Sequence, residues 1–136
     1  MADIAIKMGV NAPQEDVDGV VRVLEIIADH TPEDESQMFS FGAYEENFSD
    51  GAIGVLASMS FIVNYTGRDG APKTHSEHVM RSFERTVEDG KPAFYITVSP
   101  SARALVKVVF EQRDLEGDED ARSRYVQDAV EKIGLT

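Results

Sequence analysis

The 136-residue chain has no cysteine, only five prolines, and few positive charges. Without cysteine there is no disulfide framework, no thiolate zinc site and no cysteine nucleophile. No run of about 18 apolar residues occurs, which argues against a membrane-spanning helix. The N-terminal stretch places an acid at Asp3 and lacks a basic segment followed by an apolar one, so no export signal is expected and a cytoplasmic location is. Lysine is confined to Lys7, Lys73, Lys91, Lys107 and Lys132. The densest positive stretch, Arg81 to Arg85, holds two arginines and includes Glu84, so the linear sequence shows no basic patch. Direct binding to nucleic acid or to an anionic membrane is therefore disfavoured.

Acids fill the place of the missing cations. The 13 Lys and Arg residues face 25 Asp and Glu, giving a net charge of −12. The acids are clustered at Glu15, Asp16 and Asp18, at Glu33, Asp34 and Glu35, at Glu45, Glu46 and Asp50, and from Asp114 to Asp120. A field of this sign attracts basic partners. It also fits an ordinary solvated surface or adaptation to high salt. With 42% hydrophobic residues the chain has the material for a core, and its length suits one domain.

Along the chain, Asp3 to Met8 alternates as a short strand. Asn11 and Gln14 then open a helix whose apolar stripe is Val17, Val20, Val21, Leu24 and Ile27. The Thr31-Pro32 pair stops it near His30. Gln37 to Tyr44 reads as a strand with Phe39 and Phe41 on one face. The most apolar run, 51–65, fits a helical stripe at Ile53, Leu56 and Val63, yet its second half is rich in β-formers, so a strand over 57–66 is favoured. Thr66 to Pro72 is a loop. Thr74 and Glu77 then form a capping box opening a helix that buries Val79, Met80, Phe83 and Val87 and ends at Gly90. Pro92 to Ser99 is a strand. A second strand over 103–112 competes there with a helix opened by Ser99-Pro100. The last helix runs from Asp118 to Ile133, with acids at its start, Lys132 at its end and Gly134 as its stop. The expected fold is a single α+β domain over residues 1–136, with a mixed or antiparallel sheet and about three helices mainly on one face.

Three segments invite chemistry. In Gly67-Arg-Asp-Gly70-Ala-Pro72-Lys73-Thr74-His75, a glycine and a Lys-Thr pair stand at phosphate-loop offsets between a strand and a predicted helix. Pro72, which has no amide hydrogen, replaces the glycine before the lysine. His75 and His78 would share a helical face, but no third metal ligand is selected by spacing. Asp114 to Asp120 has acids at the alternate positions of a calcium loop, with Glu119 where glycine belongs and Tyr125 where a bidentate glutamate belongs. No nucleophile elbow or catalytic set is present, and no cofactor or metal is expected.

The leading expectation is a non-enzymatic acidic binding protein, such as an inhibitor, an immunity-type partner or a phage-encoded blocker. It would occupy a basic, nucleic-acid-binding-like surface of a partner protein. The contact residues would be Glu33, Asp34, Glu35, Glu45, Glu46, Asp114, Glu116, Asp118 and Asp120. The first alternative is a small-ligand or nucleotide-binding enzyme built on Gly67, Gly70, Lys73, Thr74, His75 and His78 within the strand-loop-helix at 61–78. The second is a structural subunit of a homo-oligomeric assembly that uses the apolar run 51–65 as an interface.

Overall fold

The computed structural model describes residues 2–29, 38–45 and 48–136. Its elements in chain order are β1 (Asp3–Lys7), α1 (Gln14–Asp29), β2 (Phe39–Tyr44), α2 (Asp50–Ser58), β3 (Ser60–Thr66), β4 (Pro72–His78), β5 (Ser82–Glu88), β6 (Lys91–Val98), α3 (Pro100–Glu111) and α4 (Glu119–Ile133). A short 3-10 turn, Gln112–Leu115, joins the last two helices. The strands form two antiparallel three-stranded sheets, ordered β1-β3-β4 and β2-β6-β5. The fold is α+β as the sequence implies, with four helices among the described residues.

β3 shows how period-two patterning sets the first sheet. Phe61, Val63 and Tyr65 are buried, and each faces a residue of β4 on the same side: Glu77, His75 and Lys73 respectively. Ile4 and Ile6 of β1 join that inner face opposite Val63 and Phe61. The outer face is polar, and an Asp3–Asn64–Thr74 chain crosses all three strands through two hydrogen bonds of 2.8 Å. In the second sheet the central strand β6 contributes Phe94, Ile96 and Val98, all fully buried. Helices α1, α2, α3 and α4 add Val20, Ile27, Leu56, Leu105, Val106, Val126 and Val130 to the same core.

Two expected elements differ. The 74–89 segment is not a helix: it is β4, a bend and β5. Its apparent helical stripe divides by location. Val79 and Met80 are buried in the bend between the sheets, whereas Phe83 and Val87 are 42% and 67% exposed on the open edge strand β5. At the bend the Val79 amide bonds the Met59 carbonyl at 3.1 Å and the Arg81 amide bonds that of Thr97 at 2.9 Å, so the chain passes from one ladder to the other. Gly90 ends no helix. Asp89 and Gly90 have φ of 51° and 76°, the left-handed pair of a tight hairpin, and Asp-Gly is the residue pair that such a turn favours.

The second difference is at 103–112, which is helical. Ser99 caps α3 by accepting the Ala102 amide at 3.1 Å, and Pro100 occupies the first turn, where its missing N–H costs nothing. Ala102, Leu105 and Val106 then bury at helical spacing. The ambiguous run 51–65 holds both of the weighed forms: helix α2 capped by Ser49, then strand β3. Its Ala52, Ile53, Val55, Leu56, Phe61 and Val63 are all buried within the chain, so they are core and not a free interface.

Candidate functional site

The antiparallel pair α3 and α4 carries the most concentrated charge features among the described residues, one at each end. At the connected end, Glu111 closes α3 and the Tyr125 hydroxyl of α4 donates to its carboxylate. Burial, together with that carboxylate, pushes the Tyr125 phenol well above its ordinary range. Beyond it the connection bears Asp114, Glu116, Asp118, Glu119 and Asp120, all exposed. Glu119 pairs with Arg122 at 2.8 Å. Asp114, Glu116, Asp118 and Asp120 form no ion pair among the described residues. Asp118 has a structural duty as well, accepting the Ala121 amide at 3.1 Å as the N-cap of α4. No calcium-type cage closes there, and no group of three or more His, Asp or Glu among the described residues is placed to hold a metal ion.

At the open end of the same helix pair, an open groove of about 580 Å³ is lined by Ser99, Pro100, Arg103, Lys107, Lys132 and Ile133, with Ser101 and Ala104 between them. A second hollow of about 380 Å³ continues it between the helices toward Glu111 and Tyr125, sharing Ala104, Lys107, Lys132 and Ile133. Three of the 13 cationic residues thus converge on one surface of a strongly acidic chain. Folding brings together what the linear sequence separates. Arg103 and Lys107 are one helical turn apart on α3, and Lys132 returns to them from the last turn of α4. Reading 103–112 as a strand hides this spacing; the Ser99-Pro100 helix start was the signal that exposes it.

The nine acids expected to meet a partner fall into three groups. Glu33, Asp34, Glu35 and Glu46 lie outside the described residues. Glu45 follows β2 and is held by Arg85 of β5 at 2.8 Å, while Asp50 takes the other guanidinium nitrogen at 2.7 Å. That guanidinium also stacks over Phe94, 5.0 Å from the ring centroid. Glu45 is therefore committed to an internal pair. Asp114, Glu116, Asp118 and Asp120 share one connection and have no bond to the Glu45 group.

The alternative ligand residues sit on a hairpin, with no helix N-terminus to offer amides to a phosphate. The Gly67 amide bonds the Ala71 carbonyl and the Gly70 amide bonds the Gly67 carbonyl, each at 2.9 Å, closing the β3–β4 turn. Asp69 accepts the Ala71 amide, which with nearby Lys73 holds its carboxyl below the usual range. Lys73 reaches the Thr136 carbonyl oxygen at 3.0 Å and Asp69 at 3.7 Å. Thr74 bonds Asn64 on the outer face. His75 and His78, three apart on a strand, point to opposite faces and cannot share an ion. His78 lies 3.4 Å from the Ser60 hydroxyl, and His75 pairs with Glu77 at 2.8 Å. Ser101 of α3 donates to that same Glu77 oxygen at 2.6 Å. The carboxylate stands between the histidine and the serine, so the imidazole has no contact through which to activate the hydroxyl. A recess of about 200 Å³ beside Tyr65, Lys73 and Thr74 is the space left at this position. Comparisons with protein-family models, curated proteins and solved structures found no match for the chain.

Proposed function

We propose that the protein is a non-enzymatic acidic binding protein that engages a basic surface of a protein partner, in the manner of an inhibitor or an immunity-type or phage-encoded blocker. The observation that carries this reading is the α3–α4 connection: Asp114, Glu116, Asp118 and Asp120 are exposed and unpaired among the described residues, Asp114 and Glu116 on the 3-10 turn and its end, Asp118 and Asp120 at the start of α4. The net charge of −12 adds a long-range field of the same sign. Such a field accelerates encounter with a basic surface, and the fixed carboxylates then set register.

The test compares the wild-type chain with the variant Asp114→Asn, Glu116→Gln, Asp118→Asn, Asp120→Asn as bait in affinity capture from the native lysate. Asn at position 118 keeps the helix cap, so the fold is retained. A basic protein is expected on the wild-type bait, released as salt rises from about 0.05 to 0.2 M, and absent from the variant. Neutralising Glu15 and Glu25 on α1 should leave capture intact. Capture that survives both high salt and the fourfold variant contradicts the reading.

A further inference from the structure

We infer that the protein forms a two-fold symmetric dimer in which the open edge of β5 pairs antiparallel with β5 of a second copy, joining the two β2-β6-β5 sheets into one. This goes beyond the acidic-surface reading and stands independently of it, because it uses none of the carboxylates of the α3–α4 connection.

An edge strand leaves alternate backbone N–H and C=O groups pointing outward, and proteins blunt such edges with proline, lysine, bulges or a covering group. The other sheet does so. β4 opens with Pro72 and carries Lys73, and on β1 the Ile4 carbonyl accepts from the Gln112 side chain at 3.2 Å. β5 has none of these devices. Its seven residues, Ser-Phe-Glu-Arg-Thr-Val-Glu, include no proline, glycine or lysine and pair with β6 at every position from Ser82 to Glu88 without a bulge. Among the described residues it pairs with no other strand. Phe83 and Val87 are exposed on the face that β5 shares with buried Phe94 and Ile96.

The pattern along the strand selects a second copy of itself as the occupant. A two-fold axis perpendicular to the sheet at Arg85 overlaps all seven residues and keeps both inner faces on one side. Residues directly opposite each other then share a face. On the inner face Phe83 meets Val87 of the second copy, and on the outer face Glu84 meets Thr86 and Ser82 meets Glu88. Apolar groups cover apolar groups, and the Glu84 carboxylate, which has no ion pair among the described residues, gains a hydroxyl donor. Arg85 faces Arg85, but each guanidinium is already held by Glu45 and Asp50 of its own chain at 2.8 and 2.7 Å, which offsets the like charge. The neighbouring registers are worse. An axis at Glu84 sets that carboxylate against its own copy, and an axis at Thr86 sets Glu84 against Glu88. Charge thus favours the register of greatest overlap. A seven-residue edge makes a small interface, so the dimer is weak and reversible.

The experiment is sedimentation equilibrium of the full-length chain from about 10 μM to about 1 mM, at about 0.05 M and about 0.5 M salt. A monomer–dimer equilibrium is expected, and the dimer should strengthen as salt rises, because each copy carries −12 and screening relieves their repulsion. Capture of a basic partner runs the other way with salt, so failure of one reading is distinguishable from failure of the other. Val87→Lys, at an exposed site, should weaken the dimer by at least about tenfold by setting a charge against Phe83 of the second copy. Thr86→Lys should instead tighten it by about threefold, since each new ammonium faces Glu84, and a loss of folding cannot produce that gain. Ser76→Lys, the same change of charge at an exposed site on β4, should shift it far less. A strict monomer at about 1 mM, a dimer that weakens with salt, or a dimer indifferent to Val87→Lys and Thr86→Lys would overturn the inference.

Discussion

At one end of the paired helices α3 and α4 stand Asp114, Glu116, Asp118 and Asp120; at the other stand Arg103 and Lys132, with Lys107 between. α3 is 12 residues long, so about 18 Å of helix separates the two ends, roughly twice the screening length of about 8 Å at physiological salt. The charges at the two ends are therefore electrostatically almost independent. They also arise differently. Acids at the start of α4 stabilise that helix through its dipole and its Asp118 cap, so part of the acidic cluster is structural. Arg103 at the start of α3 gains nothing from that helix's dipole, whereas Lys132 in the last turn of α4 does gain from its own.

The largest way to disrupt this arrangement is to remove the core beneath it. Leu105 is fully buried on α3, and Leu105→Ala should cost about 2–5 kcal/mol, read as a fall in the midpoint of denaturant unfolding. Capture of a basic partner should fall with it. Next come the two terminal devices. Asp118→Ala removes the N-cap of α4 and should cost about 1 kcal/mol. Gly134 has φ of 98°, a left-handed stop for α4, and Gly134→Ala should cost about 1 kcal/mol. The first change should weaken partner capture, and the second should leave it almost unchanged.

Smaller still is the effect of Tyr125, which lies between the two ends. Its phenol is raised by burial and by the Glu111 carboxylate. A group whose folded pKa is raised lends stability below its unfolded value of about 10 and withdraws it as pH climbs beyond that. Wild type should therefore lose more stability than Tyr125→Phe between about pH 9 and 11, seen as a steeper drop in denaturation midpoint. The smallest effect on folding is expected from Asp114→Asn with Glu116→Gln. Both sites are exposed and unpaired, so stability should change by less than about 0.5 kcal/mol while partner affinity falls.

Local chemistry made most helices and several strands legible. The apolar stripe of α1, the Asp118 helix start, the Gly134 stop and the alternation around Phe39 and Phe41 all lead to observed elements, whereas the Asn11–Gln14 capping box does not form: Pro13 precedes α1 and Gln14 bonds Asp18 at 2.8 Å. The two phenyl rings stack at 5.1 Å. Segment 74–88 escaped because spacing alone cannot say which apolar residues will be covered. Val79 and Phe83 look equivalent at helical intervals, yet one is in a sheet junction and the other on an open edge. The Asp89-Gly90 pair carried the hairpin signal and outweighs the capping-box pattern at Thr74. The cationic groove escaped for a related reason: Arg103 and Lys107 meet Lys132 only when 100–111 is helical and α4 returns antiparallel to it. The acidic connection needed no such step, since its carboxylates are adjacent in sequence.

One measurement addresses the central claim directly: resonance mapping of the wild-type chain titrated with hexalysine at about 0.05 M and 0.2 M salt, where screening changes most. Binding should concentrate its shifts on residues 114–120, avoid 101–107, and fade at the higher salt. Shifts as large along Glu15, Asp16 and Glu25 of α1 as on the connection, or a response indifferent to salt, would contradict the account.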